Sequence, residues 1–151
     1  MKNIIFLILI FISGCAIGPR YVPAAPPPDG KALVYLLQTN TIQGDAYPTV
    51  FSVNEVKLVS LYDSGYSYVY LPPGTYLFKT NVALWGSKEL QITVPIESGK
   101  EYYLEHTEEM ESYPRYNTIF RKISKVNASK IISEYRYNEI EKTSYVQPIA
   151  K

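Results

Sequence analysis

The chain has 151 residues, of which 46% are hydrophobic and 19% are charged, and these proportions fit one globular domain. Its 15 basic and 14 acidic side chains give a formal net charge of +1, which offers no basic footprint for nucleic acid. A single cysteine excludes an intramolecular disulfide, and together with a single histidine it excludes zinc sites of the finger type. We therefore expect no nucleic-acid partner, no cofactor and no metal.

The amino terminus has the pattern of an export signal. Lys2 precedes an unbroken apolar run over residues 4–12, and the small residues Ser13 and Gly14 then lead to Cys15. As a helix the apolar run is about 14 Å long, too short for a bilayer core of about 30 Å. We expect residues 1–14 to be a signal peptide that is removed.

Cys15 is the predicted site of lipid attachment. Ser13-Gly14-Cys15 resembles the lipobox of bacterial lipoproteins, in which a membrane protease cuts before a cysteine that carries a diacylglyceryl group. The alternative is an ordinary secretory signal followed by a chance cysteine. Several acyl chains on Cys15 would give a stable membrane anchor. Because Ala16 stands where inner-membrane lipoproteins tend to carry Asp, we expect the outer membrane, on its periplasmic side.

Residues 15–30 are predicted to be the lipidated cysteine and a tether. The segment contains Pro19, Pro23, Pro26, Pro27 and Pro28 and shows no helical or strand periodicity. An extended proline-rich chain rises about 3.1 Å per residue, so this spacer could hold a domain about 45 Å from the lipid. The alternative is a proline-rich ligand for the groove of a partner.

Residues 31–142 have the sequence pattern of a β-rich domain. Short runs with β-type patterns alternate with turn signals such as Asn54-Glu55, Asp63-Ser64-Gly65 and Pro72-Pro73-Gly74. The runs predict strands over residues 32–37, 49–53, 57–61, 66–71, 75–80, 90–96, 101–106 and 118–123. The first run is apolar on both faces, which predicts a central strand. We expect a mainly β fold, an antiparallel β-sandwich of about seven to eight short strands.

The period changes near the carboxyl end. Ala128, Ile131, Ile132 and Tyr135 lie at helical spacing, and Asn127 is available as an N-cap. One C-terminal α-helix should therefore close or flank the sheet. Residues 143–151 have little periodicity and are expected to form a flexible tail.

These features together resemble the bacterial domain of unknown function family 2846. Four parts of the chain carry the resemblance: residues 30–36, residues 50–61, the stretch 65–76 with its Pro-Pro-Gly-Thr-Tyr turn, and residues 99–104. The resemblance covers most of residues 30–136. It implies a small lipoprotein with a β-sandwich-like domain, and it supplies no catalytic residue.

Candidate catalytic groups are few. His106 is the only histidine, and lipid would occupy the Cys15 thiol, so a nucleophile and base pair would have to use His106. The acid-rich stretch 105–111 could hold a cation or a carboxylate pair for glycoside hydrolysis, or it could be a solvated strand end and loop. We expect the latter and assign no catalytic residues.

The tyrosines offer a candidate binding surface. Strand alternation places Tyr66, Tyr68 and Tyr70 on one face, and Trp85 follows nearby in sequence. Such rings can bind sugars or proteins, or they can fill the second face of a sheet beneath the closing helix. We expect an envelope lipoprotein that binds or scaffolds without catalysis, its partner an envelope protein or peptidoglycan. The alternatives are a glycan-binding module that uses this face and an accessory subunit of an envelope secretion machine.

Overall fold

The structure is a computed structural model that describes residues 18–41, 46–82, 87–113, 115–141 and 146–149. The signal peptide, Cys15 and Trp85 lie outside the described residues. Nine strands are assigned within these ranges: β1 (Ala32–Gln38), β2 (Thr49–Val53), β3 (Val56–Leu61), β4 (Gly65–Leu71), β5 (Gly74–Val82), β6 (Leu90–Ile96), β7 (Glu101–Ser112), β8 (Arg115–Ile123) and β9 (Arg136–Tyr137). A short helix α1 (Lys125–Ile131) and a single 3₁₀ turn (Ile132–Glu134) precede β9.

The strands form the two sheets of a sandwich, so the mainly β expectation is confirmed. One sheet has the order β8-β7-β1-β4-β9 and the other the order β3-β2-β5-β6. The pairing is mixed, however, because β1 is parallel to β7 and β4 is parallel to β9. An antiparallel sandwich was expected, but alternation along a strand has the same period of two in either direction. The sequence pattern therefore carries no information on strand direction.

Strand β1 is central and buried on both faces, as expected. Val34 and Leu36 point into the space between the sheets, whereas Leu33, Tyr35 and Leu37 belong to a second apolar cluster on the outer face. All seven residues of the strand are buried. The five-stranded sheet therefore carries an apolar layer on each side, and its outer layer needs a cover.

The β2–β3 hairpin has the two-residue turn that Asn54-Glu55 predicted. Both residues have positive φ, 45° and 67°, as a type I′ turn requires. The Asn54 side-chain oxygen also accepts the Leu77 N–H at 2.8 Å, which fastens the turn to β5. An asparagine is suited to this position because it tolerates the left-handed region better than most residues.

The helix begins three residues earlier than expected. Ser124, with extended backbone dihedrals, is the N-cap, and its Oγ accepts the Asn127 N–H at 3.2 Å. Asn127, the predicted cap, lies inside the first turn because Ser124 already supplies the capping oxygen. The predicted apolar face is nevertheless the one that packs, since Ala128, Ile132 and Tyr135 are buried on the outer face of the five-stranded sheet.

The acid-rich stretch 105–111 is strand and not loop. It continues β7 and pairs with β8, and Glu105 and His106 at its start are buried. The side chains of Met110 and Tyr113 towards the hairpin tip are exposed. The expectation of a solvated strand end therefore holds only for the outer part of this stretch.

The described carboxyl-terminal residues 146–149 lie on the four-stranded sheet. The Ile149 N–H donates to the Thr75 carbonyl at 2.8 Å, and Val146 packs against the inner core. This part of the expected flexible tail is thus held to β5. None of the helices among the described residues combines the length and apolar character that crossing a bilayer would need.

Candidate functional site

The outer side of the five-stranded sheet carries a surface of tyrosine rings, which we call the tyrosine face. It consists of Tyr35 on β1, Tyr66, Tyr68 and Tyr70 on β4, and Tyr103 on β7. Tyr35 and Tyr103 stack with centroids 5.0 Å apart, and Tyr68 meets Tyr70 edge to face at 5.8 Å. Tyr35 is the register partner of both Tyr68 and Tyr103, and residues directly opposite each other on neighbouring strands point to the same side of a sheet, which is why the rings meet.

Residues 18–28 lie across this surface, and we call them the strap. Three tyrosine hydroxyls bind peptide groups of the strap: Tyr66 accepts from the Val22 N–H at 3.1 Å, Tyr35 accepts from the Ala24 N–H at 3.0 Å, and Tyr70 donates to the Ala25 carbonyl at 2.7 Å. The Tyr21 ring adds an edge-to-face contact with Tyr66 at 5.2 Å. The strap is therefore a docked segment, in contrast to the solvated spacer that its composition predicted.

Proline content explains why side chains hold the strap. Proline has no N–H, so a segment containing Pro23, Pro26, Pro27 and Pro28 cannot form a continuous ladder with a sheet. Peptide groups that approach an apolar surface still need hydrogen-bond partners. The tyrosine hydroxyls meet this need, because each ring packs on the sheet while its hydroxyl reaches the strap.

The first residues of the strap are fastened to β9. The Tyr137 N–H donates to the Pro19 carbonyl at 2.9 Å, and Arg20 forms an isolated β-bridge with Arg136. Gly18 has φ +139°, and a Cβ built there would lie 2.0 Å from the Tyr137 carbonyl oxygen. Only glycine fits this approach, so the chain is fixed to the sheet edge from its first described residue.

Burial sets the protonation of the tyrosine face. It raises the pKa of Tyr35, Tyr66 and Tyr103 above the usual value of about 10. The hydroxyls therefore remain protonated at neutral pH and can both donate and accept. Tyr103 uses its proton to bind the Glu101 carboxylate at 2.7 Å.

Helix α1 closes one end of the tyrosine face. The Lys125 Nζ binds the same Glu101 oxygen at 2.7 Å, and this bond is the main reason that the pKa of Glu101 is lowered. The packed residues Ala128, Ile132 and Tyr135 complete the cover on this side. The helix thus covers the end of the tyrosine face beside β7, whereas the strap covers Tyr66 and Tyr70 of the predicted row.

The row itself is unevenly exposed. The structure brings Tyr66, Tyr68 and Tyr70 together on one face, as alternation predicted, with Tyr66 buried and the other two half-buried. Sequence reasoning missed Tyr35 and Tyr103, although the alternation of Leu33, Tyr35 and Leu37 would have placed Tyr35 on one side of β1. In this structure the tyrosine face is the surface on which the strap is docked.

A cleft of about 550 Å³ lies between α1 and β8. Its polar lining includes Glu105, Arg121, Asn127 and Lys130. Arg121 binds the Glu105 carboxylate at 2.9 Å through Nε and the Glu109 carboxylate at 2.6 Å through Nη1. Two carboxylates of the acid-rich stretch therefore serve an ion-pair network across the β7–β8 hairpin.

His106 lies in the sandwich interior, on the side of β7 opposite to the tyrosine face. Its Nδ1 is 2.9 Å from the Gln38 Oε1, and its ring meets Phe51 edge to face. Burial lowers the pKa of His106 to about 4, so the ring is neutral at pH 7. In the part of the chain that the structure describes, no three His, Cys, Asp or Glu side chains gather as a metal site would require.

The chain is similar to one protein family, for which no activity is described. A family model described as "Protein of unknown function (DUF2846)" matches residues 28–118. The match runs from the end of the strap through β7 into β8. No curated protein matches the chain.

Proposed function

The chain belongs to the DUF2846 family of proteins of unknown function, and from that premise we propose a lipid-anchored bacterial envelope lipoprotein that binds or scaffolds another envelope component without catalysis. The observation that carries the proposal is the position of the sole cysteine. Cys15 follows the apolar run 4–12 directly behind Ser13 and Gly14, where a lipoprotein signal would place it. In a bacterium with two membranes, the protein is anchored to the outer membrane on its periplasmic side.

Charge supports an anchor made of lipid. Removal of Lys2 with the signal leaves equal numbers of basic and acidic side chains, so net charge does not draw the mature chain to anionic lipids. Each buried CH₂ of an acyl chain contributes about 0.8 kcal/mol, and stable anchoring takes at least two chains. A diacylglyceryl group on Cys15 meets that requirement.

The anchor is tested by replacing the acylated atom. Cys15→Ala should release the protein from the membrane fraction and abolish incorporation of a fatty-acid label, whereas the matched variant Ala16→Ser should retain both. Full membrane association of Cys15→Ala would refute the anchor. Ala16→Asp should move the protein towards the inner membrane in a density gradient, and an unchanged distribution would refute the outer-membrane assignment.

The partly exposed tyrosines support a binding role. Tyr68 and Tyr70 are only half-buried beside the strap, and aromatic rings offer contact area to proteins and to sugars. Crosslinking in the native envelope followed by mass spectrometry should recover a defined envelope protein as neighbour. Recovery of peptidoglycan fragments, lost in the half-buried pair Tyr68→Ser and Tyr70→Ser, would instead favour glycan binding.

A further inference from the structure

We propose that the sheet edge formed by β9 and the first residues of the strap faces the lipid surface, with Arg20 and Arg136 on phosphate groups of anionic headgroups. We call this edge the β9 edge. The inference rests on the lipid anchor at Cys15 proposed above and goes further by naming the face that meets the membrane.

Chain length brings this edge to the lipid. Only Ala16 and Ile17 separate Cys15 from Gly18, so the Cα atoms of Cys15 and Gly18 are at most about 11 Å apart. A domain of about 120 residues has a radius of gyration of about 14 Å. The segment from Cys15 to Gly18 is therefore shorter than the radius of the domain. While the strap is docked, the domain must stay close to the lipid headgroups.

The docking of the strap decides which face is brought there. Gly18 lies against the Tyr137 carbonyl, and the Pro19 carbonyl accepts the Tyr137 N–H. The Arg136 Nη1 also donates to the Gly18 carbonyl at 3.3 Å. Three contacts therefore join the membrane end of the described chain to β9 and leave little freedom to present another edge.

The charges at this edge suit a phosphate surface. Arg20 is exposed and Arg136 is half-buried, and their backbones are bridge partners, so two guanidinium groups project from one short stretch of edge. No ion pair joins either of them to a carboxylate among the described residues, so neither guanidinium charge is neutralised by a neighbouring acid. Arginine binds phosphate oxygens through two parallel N–H groups.

The test uses the sole cysteine and does not depend on acylation in the cell. The mature chain, from residue 15 onward, is coupled through the Cys15 thiol to maleimide lipids in vesicles of phosphatidylcholine with or without phosphatidylglycerol. Amide hydrogen exchange is then compared with the uncoupled protein. Peptides covering residues 18–22 and 135–139 should exchange at least threefold more slowly on the anionic vesicles, while peptides from β3 should not change.

Two further conditions separate the phosphate contact from mere proximity. The variant Arg20→Gln, which leaves the Arg136 bond to the Gly18 carbonyl in place, should lose much of the protection, whereas Arg115→Gln, which removes an exposed cation elsewhere, should keep it. Raising the salt to about 1 M, where the Debye length is about 3 Å, should reduce the protection in the unmutated protein. Equal protection on neutral vesicles, or protection insensitive to salt and to Arg20→Gln, would overturn the phosphate contact.

The fixed orientation is tested at Gly18. Gly18→Ala places a Cβ against the Tyr137 carbonyl and should free the start of the strap, which abolishes selective protection of the β9 edge. Gly99→Ala is the matched control, since Gly99 also has positive φ but open space around its Cβ position. Protection of another face in the unmutated protein, or selective protection that survives Gly18→Ala, would overturn the orientation. Absence of acylation in cells would refute the anchor alone, since the vesicle result is obtained without it.

Discussion

Tyr35 and Tyr103 stack almost face to face, with ring planes 3° apart and centroids 5.0 Å apart, across the parallel pair β1 and β7. The two are direct register partners, so the stack is a consequence of the crossover that places β7 beside β1. The Tyr35 hydroxyl then binds the strap and the Tyr103 hydroxyl binds Glu101. One ring pair thus connects the strap to the base of helix α1.

Removing strap-binding hydroxyls should loosen the strap and leave the sandwich folded. Tyr35→Phe keeps the stacked ring but deletes the acceptor for the Ala24 N–H, at a cost of about 1 kcal/mol. Combined with Tyr66→Phe and Tyr70→Phe, it should speed amide exchange and proteolysis over residues 18–28 severalfold. Met110→Leu, at an exposed site on β7, serves as a control. Unchanged proteolysis of the strap in the triple variant would contradict the role assigned to the hydroxyls.

The stability of the fold should fall in mild acid because of His106. Its pKa is lowered to about 4 in the folded protein, against about 6.5 in the unfolded chain, so protons bind preferentially to the unfolded state. The contribution is complete above pH 6.5 and is lost progressively as the pH falls to about 4. The loss amounts to about 3 kcal/mol. Urea titrations at several pH values measure it.

His106→Gln is the comparison for this pH dependence. The glutamine is uncharged at every pH and can still bind the Gln38 side chain, so the drop between pH 6.5 and 4 should shrink. The variant is expected to be less stable at pH 7 because the Phe51 contact changes. An equally steep drop in the variant would assign the acid sensitivity to other groups.

Asn54 should be required for the β2–β3 turn. Asn54→Ala removes the acceptor of the Leu77 N–H and places alanine at positive φ, so we expect a loss of about 2 kcal/mol in unfolding free energy. Glu55→Gln keeps a long side chain at the exposed neighbouring position and should cost much less than Asn54→Ala, because the surface ion pair to Lys79 contributes little. Chemical denaturation of the two variants side by side provides the test, and equal losses would count against it.

The helix cap gives a further comparison. Ser124→Ala should destabilise the protein by about 1 kcal/mol, because the Asn127 N–H loses its acceptor. Asn127→Ala leaves that bond in place, since the backbone donates it, and should be nearly neutral. Thermal unfolding of both variants decides between Ser124 and Asn127 as the cap.

Local patterns predicted much of this fold. The doubly apolar run 32–37 identified the central strand, and the Asn54-Glu55 dipeptide identified a tight turn. The helical spacing of Ala128, Ile131, Ile132 and Tyr135 identified the residues that pack on the sheet, although the α-helix ends at Ile131 and a 3₁₀ turn carries Ile132. Each of these signals depends on residues that are near one another in sequence. The parallel pairing of β1 with β7 depends on the path of the chain through the other sheet, which no local pattern encodes.

The docking of the strap on the tyrosine face could not be predicted from the sequence for a related reason. A proline-rich stretch has no periodicity, and the hydroxyl that binds Val22 belongs to Tyr66, 44 residues away. Composition therefore predicted an extended spacer, as it would for a solvated chain. The sequence predicted the row of tyrosines, but it did not predict that the strap covers them.

The way in which the strap is held also determines how the protein responds to mechanical load. Its bonds to β9, Tyr66, Tyr35 and Tyr70 follow one another along the segment, so a pull on the amino-terminal end breaks them singly and never all together. Each released residue adds about 3.1 Å of proline-rich chain. We therefore expect the strap to detach and lengthen under load before the sandwich unfolds.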